Sequence, residues 1–185
     1  MRIFIGVDLP NDLKDCVYQT IKFFKSTYVN SINYVSKENL HITLKFIGEI
    51  NEKDFMLIKL ALSKINFLPF DVDLKGLGCF PDIFNARVLW IGVKDEEENF
   101  KKLYEKIIYL LPEKFKKDDK NFSPHLTLAR LKEKPLKSFI NLIDKEKYFG
   151  SFKVSSIQLY ESKLERSGAK YSILESFSLE KSQGG

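Results

Sequence analysis

Hydrophobic and polar residues change their period along this chain, and each change predicts an element. Residues 3–10, IFIGVDLP, are rich in branched apolar side chains and read as a strand. In the next stretch, NDLKDCVYQTIKFFK, residues Leu13, Val17, Ile21 and Phe24 recur at helical spacing, so an amphipathic helix follows. HITLKFIG (41–48) returns to strand character. Phe55, Ile58, Leu62 and Ile65 then mark a second helix, with Asn51 as its cap. FDVDLKGLGCF (70–80) predicts a further strand.

The same order recurs in the second half. RVLWIGV (87–93) is a strand. DEEENFKKLYEKIIYLL (95–111) is a helix whose acidic start suits the positive end of its dipole, and Pro112 helps to stop it. A polar loop (113–121) leads into SPHLTLARL (123–131), again a strand. LKSFINLIDKEKYF (136–149) predicts a helix and SFKVSSIQLYES (151–162) a strand. KYSILESFSLE (170–180) adds a last strand, and the final SQGG is expected to fray. Three landmarks link the halves. Ile91-Gly92-Val93 echoes Ile5-Gly6-Val7 at an offset of 86, the two histidines are 84 apart, and Phe70 and Phe152 are 82 apart. A nearly constant offset predicts internal duplication, with repeats over 1–82 and 87–165 in one bilobal domain spanning 1–185.

Composition narrows the class. The chain has 185 residues, 44% of them hydrophobic and 30% charged, which suits a soluble unit with a sizeable core. No apolar run is long enough to span a bilayer, and the first residues lack a signal-peptide pattern, so a cytoplasmic protein without a membrane partner is expected. Cys16 and Cys79 have no metal-like spacing and are expected to be reduced and structural. A net charge of +5 favours an anionic partner only weakly.

The chemistry lies in the two histidines. The chain has only His41 and His125, and each stands two residues before one of only four threonines, Thr43 and Thr127. Side chains alternate along a strand, so each His shares a face with its Thr while Ile42 and Leu44, or Leu126 and Leu128, face the core. A lone strand histidine is more often structural than catalytic. Duplication, however, can bring the two imidazoles face to face across a groove. One imidazole then accepts a proton from a nucleophile, the other donates one to a leaving oxygen, and two hydroxyls hold an anionic centre between them. A phosphodiester has that shape. Zinc is the competing reading, but neither segment has a nearby Asp, Glu or Cys apart from Glu49, and no metal or cofactor is expected. Lys45 continues the His41 face if the strand stays regular. Arg130, five residues from His125, falls on the opposite face unless the strand bulges or ends near Ala129. Phe80, Trp90 and Tyr160 have the chemistry to stack a base, although core packing is the commoner use of such residues.

NLHITLKFIG (39–48) and FSPHLTLAR (122–130), with RIFIGVDLP, RVLWIGV, LYES, Gly168 and Tyr171, resemble the signature segments of the 2H phosphoesterase superfamily. The likeness is to its RNA 2′,3′-cyclic phosphodiesterase branch, also called the 2′-5′ RNA ligase family. The resemblance implies an α+β fold, with two antiparallel sheets lining a central cleft and helices outside. It implies metal-independent hydrolysis of a terminal RNA 2′,3′-cyclic phosphate to a 2′-phosphate, and the reverse 2′-5′ ligation. His41 matches the family's proton donor and His125 its proton acceptor. Thr43, Thr127 and Arg130 match its substrate-binding residues. The expected partner is an RNA with a cyclic phosphate end, and the expected state is a monomer. Two alternatives stay open: the same chemistry on 2′-5′ oligoadenylate or an ADP-ribose cyclic phosphate, and an RNA-end binding module without catalysis.

Overall fold

The computed structural model of the protein describes residues 1–28, 32–117, 122–166 and 168–180, so the final SQGG and the end of the polar loop (118–121) lie outside the described residues. The elements in chain order are β1 (Arg2–Asp8), α1 (Asn11–Thr27), β2 (Ile32–Tyr34), β3 (His41–Glu49), α2 (Glu52–Leu62), β4 (Phe70–Phe80) and β5 (Val88–Lys94). They continue as α3 (Asn99–Leu110), β6 (His125–Leu131), α4 (Lys137–Ile140), β7 (Tyr148–Val154), β8 (Ser156–Glu165) and β9 (Gly168–Ser178). The α+β class expected from the sequence is the one observed. The two expected sheets are the halves of one antiparallel sheet with the order β7-β4-β5-β6-β3-β1-β8-β9, and β2 adds to β6. At the junction β3 and β6 share one pair, Ile42 opposite Leu126, in the middle of the two His-x-Thr segments, and β2 continues along β6 from Ala129 to Leu131.

Helices cover one face of this sheet. Leu13, Val17, Ile21 and Phe24 of α1, Ile58 and Leu62 of α2, and Phe100, Leu103 and Ile107 of α3 join a single core. From the strands, Ile3, Ile5, Val7, Ile42, Leu44, Leu126 and Leu128 enter the same core. The helical spacing and the strand alternation read from the sequence are therefore one fact seen from two sides: both point the aliphatic residues into this layer. The opposite face of the sheet carries the histidines.

Caps fix where the helices begin. Asn51 Oδ1 accepts from the Asp54 amide at 2.9 Å, as predicted for α2. In α3 the acidic run precedes the helix rather than opening it. Asp95 Oδ2 accepts from the Phe100 amide at 2.7 Å, and the first turn holds no acidic residue. Leu111, held extended before Pro112, ends the helix.

Two predicted elements differ. The helix expected over 136–149 is only Lys137–Ile140. The chain beyond it is drawn onto β4: Leu77 N donates to Asp144 O and Gly76 N to Lys147 O, each at 2.8 Å. The strand expected over 151–162 is two strands. β7 pairs with β4 at one end of the sheet and β8 pairs with β1 in the other half, so the chain crosses over at Ser155. Phe70 and Phe152 consequently lie on neighbouring, paired strands, with Phe152 opposite Val72. Among the described residues no helix is long and apolar enough to cross a membrane.

Candidate active site

Both His-x-Thr segments contain a bulge, and the bulges decide which side chains reach the open face. In the β1–β3 ladder, Gly6 is opposite Thr43 but Ile5 is opposite Lys45, so Leu44 is the extra residue. In the β5–β6 ladder, Trp90 is opposite Thr127 but Leu89 is opposite Ala129, so Leu128 is extra. Past the bulge, Lys45 turns to the helix-covered face beside Ile5. It is 4% exposed, and its ammonium donates to the Lys117 carbonyl. The strand does not stay regular, so Lys45 leaves the His41 face. The same bulge turns Phe46 outward, 63% exposed, and its counterpart in β6 turns Arg130 outward onto the His125 face. The bulge was one of the two routes by which Arg130 could join that face.

Each imidazole is oriented by a carbonyl two residues upstream. His41 Nδ1 lies 2.6 Å from Asn39 O, and His125 Nδ1 lies 2.7 Å from Ser123 O. A carbonyl only accepts, so Nδ1 carries the proton in both rings and Nε2 is left as the acceptor of the neutral imidazole. The Thr43 hydroxyl lies 3.0 Å from His41 Nε2. Antiparallel pairing at Ile42 and Leu126 directs His41 toward Thr127 and Thr43 toward His125. The two imidazoles and the two threonines therefore alternate on one face across the neighbouring strands β3 and β6.

Aromatic rings wall both imidazoles. Phe4, Tyr160 and Tyr171 surround His41 at centroid distances of 4.8, 5.5 and 5.1 Å. Phe80 meets His125 edge-on at 4.9 Å, and Trp90 lies at 6.5 Å. Tyr160 is buried and stacked on Phe4 at 4.7 Å, so its core reading holds. Trp90 lies over Gly78, where a Cβ would come within 2.2 Å of the indole. Burial in this setting pushes His41 down to about 4, against the opposing pull of the Asn39 carbonyl and Asp8. Burial also lowers His125, with Arg130 adding to the effect. Both rings are neutral near pH 7 without substrate, and an anion between them would favour protonation.

Sequence reasoning missed several supporting residues. Asn39 orients His41 and also clamps β9, donating to Ala169 O at 2.7 Å and accepting from Tyr171 N at 3.2 Å. Its signal was its place, two residues before the histidine, matched by Ser123 before the other. Gly6 lets β1 lie close against β3: a Cβ there would stand 2.9 Å from Ile42 O and 3.3 Å from the Tyr160 ring. Gln158, 5% exposed, accepts from the Asp8 amide at 2.8 Å. Among the described residues no three His, Cys, Asp or Glu side chains gather as a metal site. Cys16 and Cys79 are both free thiols.

The model of the 2′-5′ RNA ligase superfamily matches residues 19–166. The chain is 36% identical over 181 residues to an RNA 2′,3′-cyclic phosphodiesterase of Archaeoglobus fulgidus, covering 96% of this chain and 99% of that one. It is 37% identical over 185 residues to the protein of the same name from Methanocaldococcus jannaschii, covering 94% and 98%. Among solved structures it is similar to TT0787 of Thermus thermophilus, with a TM-score of 0.80, 30% identity, and 99% and 100% coverage. The fold is also that of E. coli LigT complexed with ATP, at a TM-score of 0.78, 22% identity, and 97% and 98% coverage.

Proposed function

This chain belongs to the 2′-5′ RNA ligase superfamily of 2H phosphoesterases, and from that premise we propose that it hydrolyses a terminal RNA 2′,3′-cyclic phosphodiester to a 2′-phosphomonoester. The observation that carries the proposal is the presence of two like-oriented imidazoles and two threonines on one open face. The relatives named RNA 2′,3′-cyclic phosphodiesterase supply the substrate class.

In this reading His125 Nε2 takes a proton from water as the water oxygen attacks phosphorus. The phosphorus–O3′ bond breaks, and protonated His41 Nε2 gives its proton to O3′. Thr43 and Thr127 donate to the two non-bridging oxygens, and Arg130 neutralises the charge that develops on them. The neutral Nδ1–H tautomer of His125 leaves Nε2 ready as a base. His41 must be protonated when substrate is bound, and the phosphodiester's own negative charge favours that state. With the 5′ hydroxyl of a second RNA in place of water, the same groups form a 2′-5′ bond: His125 takes the hydroxyl proton, the phosphorus–O3′ bond breaks and His41 protonates O3′.

The test is a short RNA bearing a 2′,3′-cyclic phosphate, incubated with and without EDTA, with the product position assigned by phosphorus NMR. A 2′-phosphate is expected in both arms, and a 3′-phosphate product or binding without turnover would overturn the proposal. His41→Ala and His125→Ala should each lower the rate by about 10²–10⁴-fold, and the wild-type rate should follow a bell-shaped pH profile. Full activity in both variants would remove the acid–base assignment.

A further inference from the structure

The two halves of the site are not equivalent where strands face the histidines. The sheet pairs Gly6 with Thr43 and Asp8 with His41 in one half, and Trp90 with Thr127 and Gly92 with His125 in the other. The spatial offset between halves is therefore 84 on both strands, equal to the histidine offset, and the Ile-Gly-Val echo at 86 is two residues out of register. A carboxylate consequently stands opposite His41, and a residue with no side chain stands opposite His125. The difference is built in. A Cβ at Gly92 would come within 2.7 Å of Lys75 O, so no larger residue fits there without moving backbone.

Asp8 is held by two partners, and one of them is itself anchored. Its amide donates to Gln158 Oε1 at 2.8 Å, and Gln158 Nε2 donates to Ser156 Oγ at 2.7 Å. Its carboxylate accepts from Lys14 Nζ at 2.6 Å, and Lys14 is only 7% exposed. The titratable and charged groups that face His41 are Asp8 of β1, Lys14 of α1, His125 of β6, Tyr160 of β8 and Tyr171 of β9. Asp8 is the only anion among them. Directly opposed strand residues share a face at close range, so its field acts on the imidazole without a hydrogen bond to it.

We propose that Asp8 is a positioning residue that makes His41, and not His125, the acid of the pair. Fixed by Lys14 and Gln158, its carboxylate favours the imidazolium on its own side of the cleft, whereas Gly92 gives His125 no such partner. The inference rests on the acid role proposed for His41, and it supplies the reason for that role in a site whose two motifs are otherwise alike. Asp8 raises the His41 value against burial, and its effect exceeds the opposing one of Lys14.

The experiment uses Asp8→Asn, which keeps the shape and the amide bond to Gln158, and Lys14→Met, which removes the opposing cation. The two histidines are titrated by NMR, and kcat/KM is measured against pH on the cyclic-ended RNA. In Asp8→Asn the His41 titration should fall by about one pH unit while His125 holds, and kcat/KM should drop. In Lys14→Met the His41 titration should move the opposite way. A merely structural disturbance would lower both rates without opposite shifts in His41, which would overturn the proposal. A His41 titration that does not move in Asp8→Asn also overturns it and leaves the acid role of His41 standing. A titration that falls while kcat/KM holds or rises overturns that acid role and the assignment with it.

Discussion

Lys45 and Arg130 are both cations just beyond the threonine of a His-x-Thr segment, yet the sheet gives them opposite faces. The bulge at Leu44 sends Lys45 to the helix side, where its ammonium meets the Lys117 carbonyl, and the bulge at Leu128 sends Arg130 to the open side. They lie one position apart in the repeat, and one position is all that a strand needs to reverse a face. Arg130→Ala should therefore lower kcat/KM by about tenfold to a hundredfold, the worth of hydrogen bonds to a charged group. Lys45→Met should leave kcat/KM near the wild-type value and lower the urea midpoint, because it breaks a buried bond. The reverse pattern would show that the bulge register is wrong. Alternation placed His41, Thr43, His125 and Thr127 correctly from the sequence. It failed at Lys45 because a bulge is a property of two paired strands, and neither strand announces it alone.

At the scale of elements, the helices show which signals are local. The Asn51 cap is read from neighbouring residues, and it forms. Asn51→Ala should cost about 1 kcal/mol of stability, measured by urea unfolding with an unchanged slope. A cost near zero would mean that packing of Ile58 and Leu62 alone fixes the start of α2. The helix predicted over 136–149 had the right periodicity but lost to a non-local competitor, the amides of Gly76 and Leu77, which take carbonyls from 144–147. The strand predicted over 151–162 lost its continuity for the same reason, since its two parts have partners in different halves of the sheet. Internal duplication, which we propose from the repeated element order, would give β4 beside β5 and β8 beside β1 corresponding places in the sheet. It also explains why the best guide to spatial equivalence was the histidine offset rather than the Ile-Gly-Val echo.

At the scale of the whole molecule, the cleft depends on how the two halves are joined. Ile42 and Leu126 are the one β3–β6 pair at the joint, flanked by the three-pair β2–β6 ladder, and both are fully buried in a core that runs through both halves without a break. The joint thus combines short strand pairings with continuous apolar contact. The two halves should unfold together in one thermal transition rather than as separate lobes. Leu126→Ala should cost about 2–5 kcal/mol and lower Tm by roughly 5–20 °C for a chain of this length. The same substitution should reduce kcat/KM in the fraction that remains folded, because it loosens the crossing that holds His41 against Thr127 and Thr43 against His125. Calorimetry of the wild type and the variant tests the first claim, and two resolved transitions in the wild type would contradict it. Activity measured well below Tm tests the second. A variant with lowered Tm and wild-type kcat/KM would mean that the carbonyls of Asn39 and Ser123 orient the imidazoles without help from the joint.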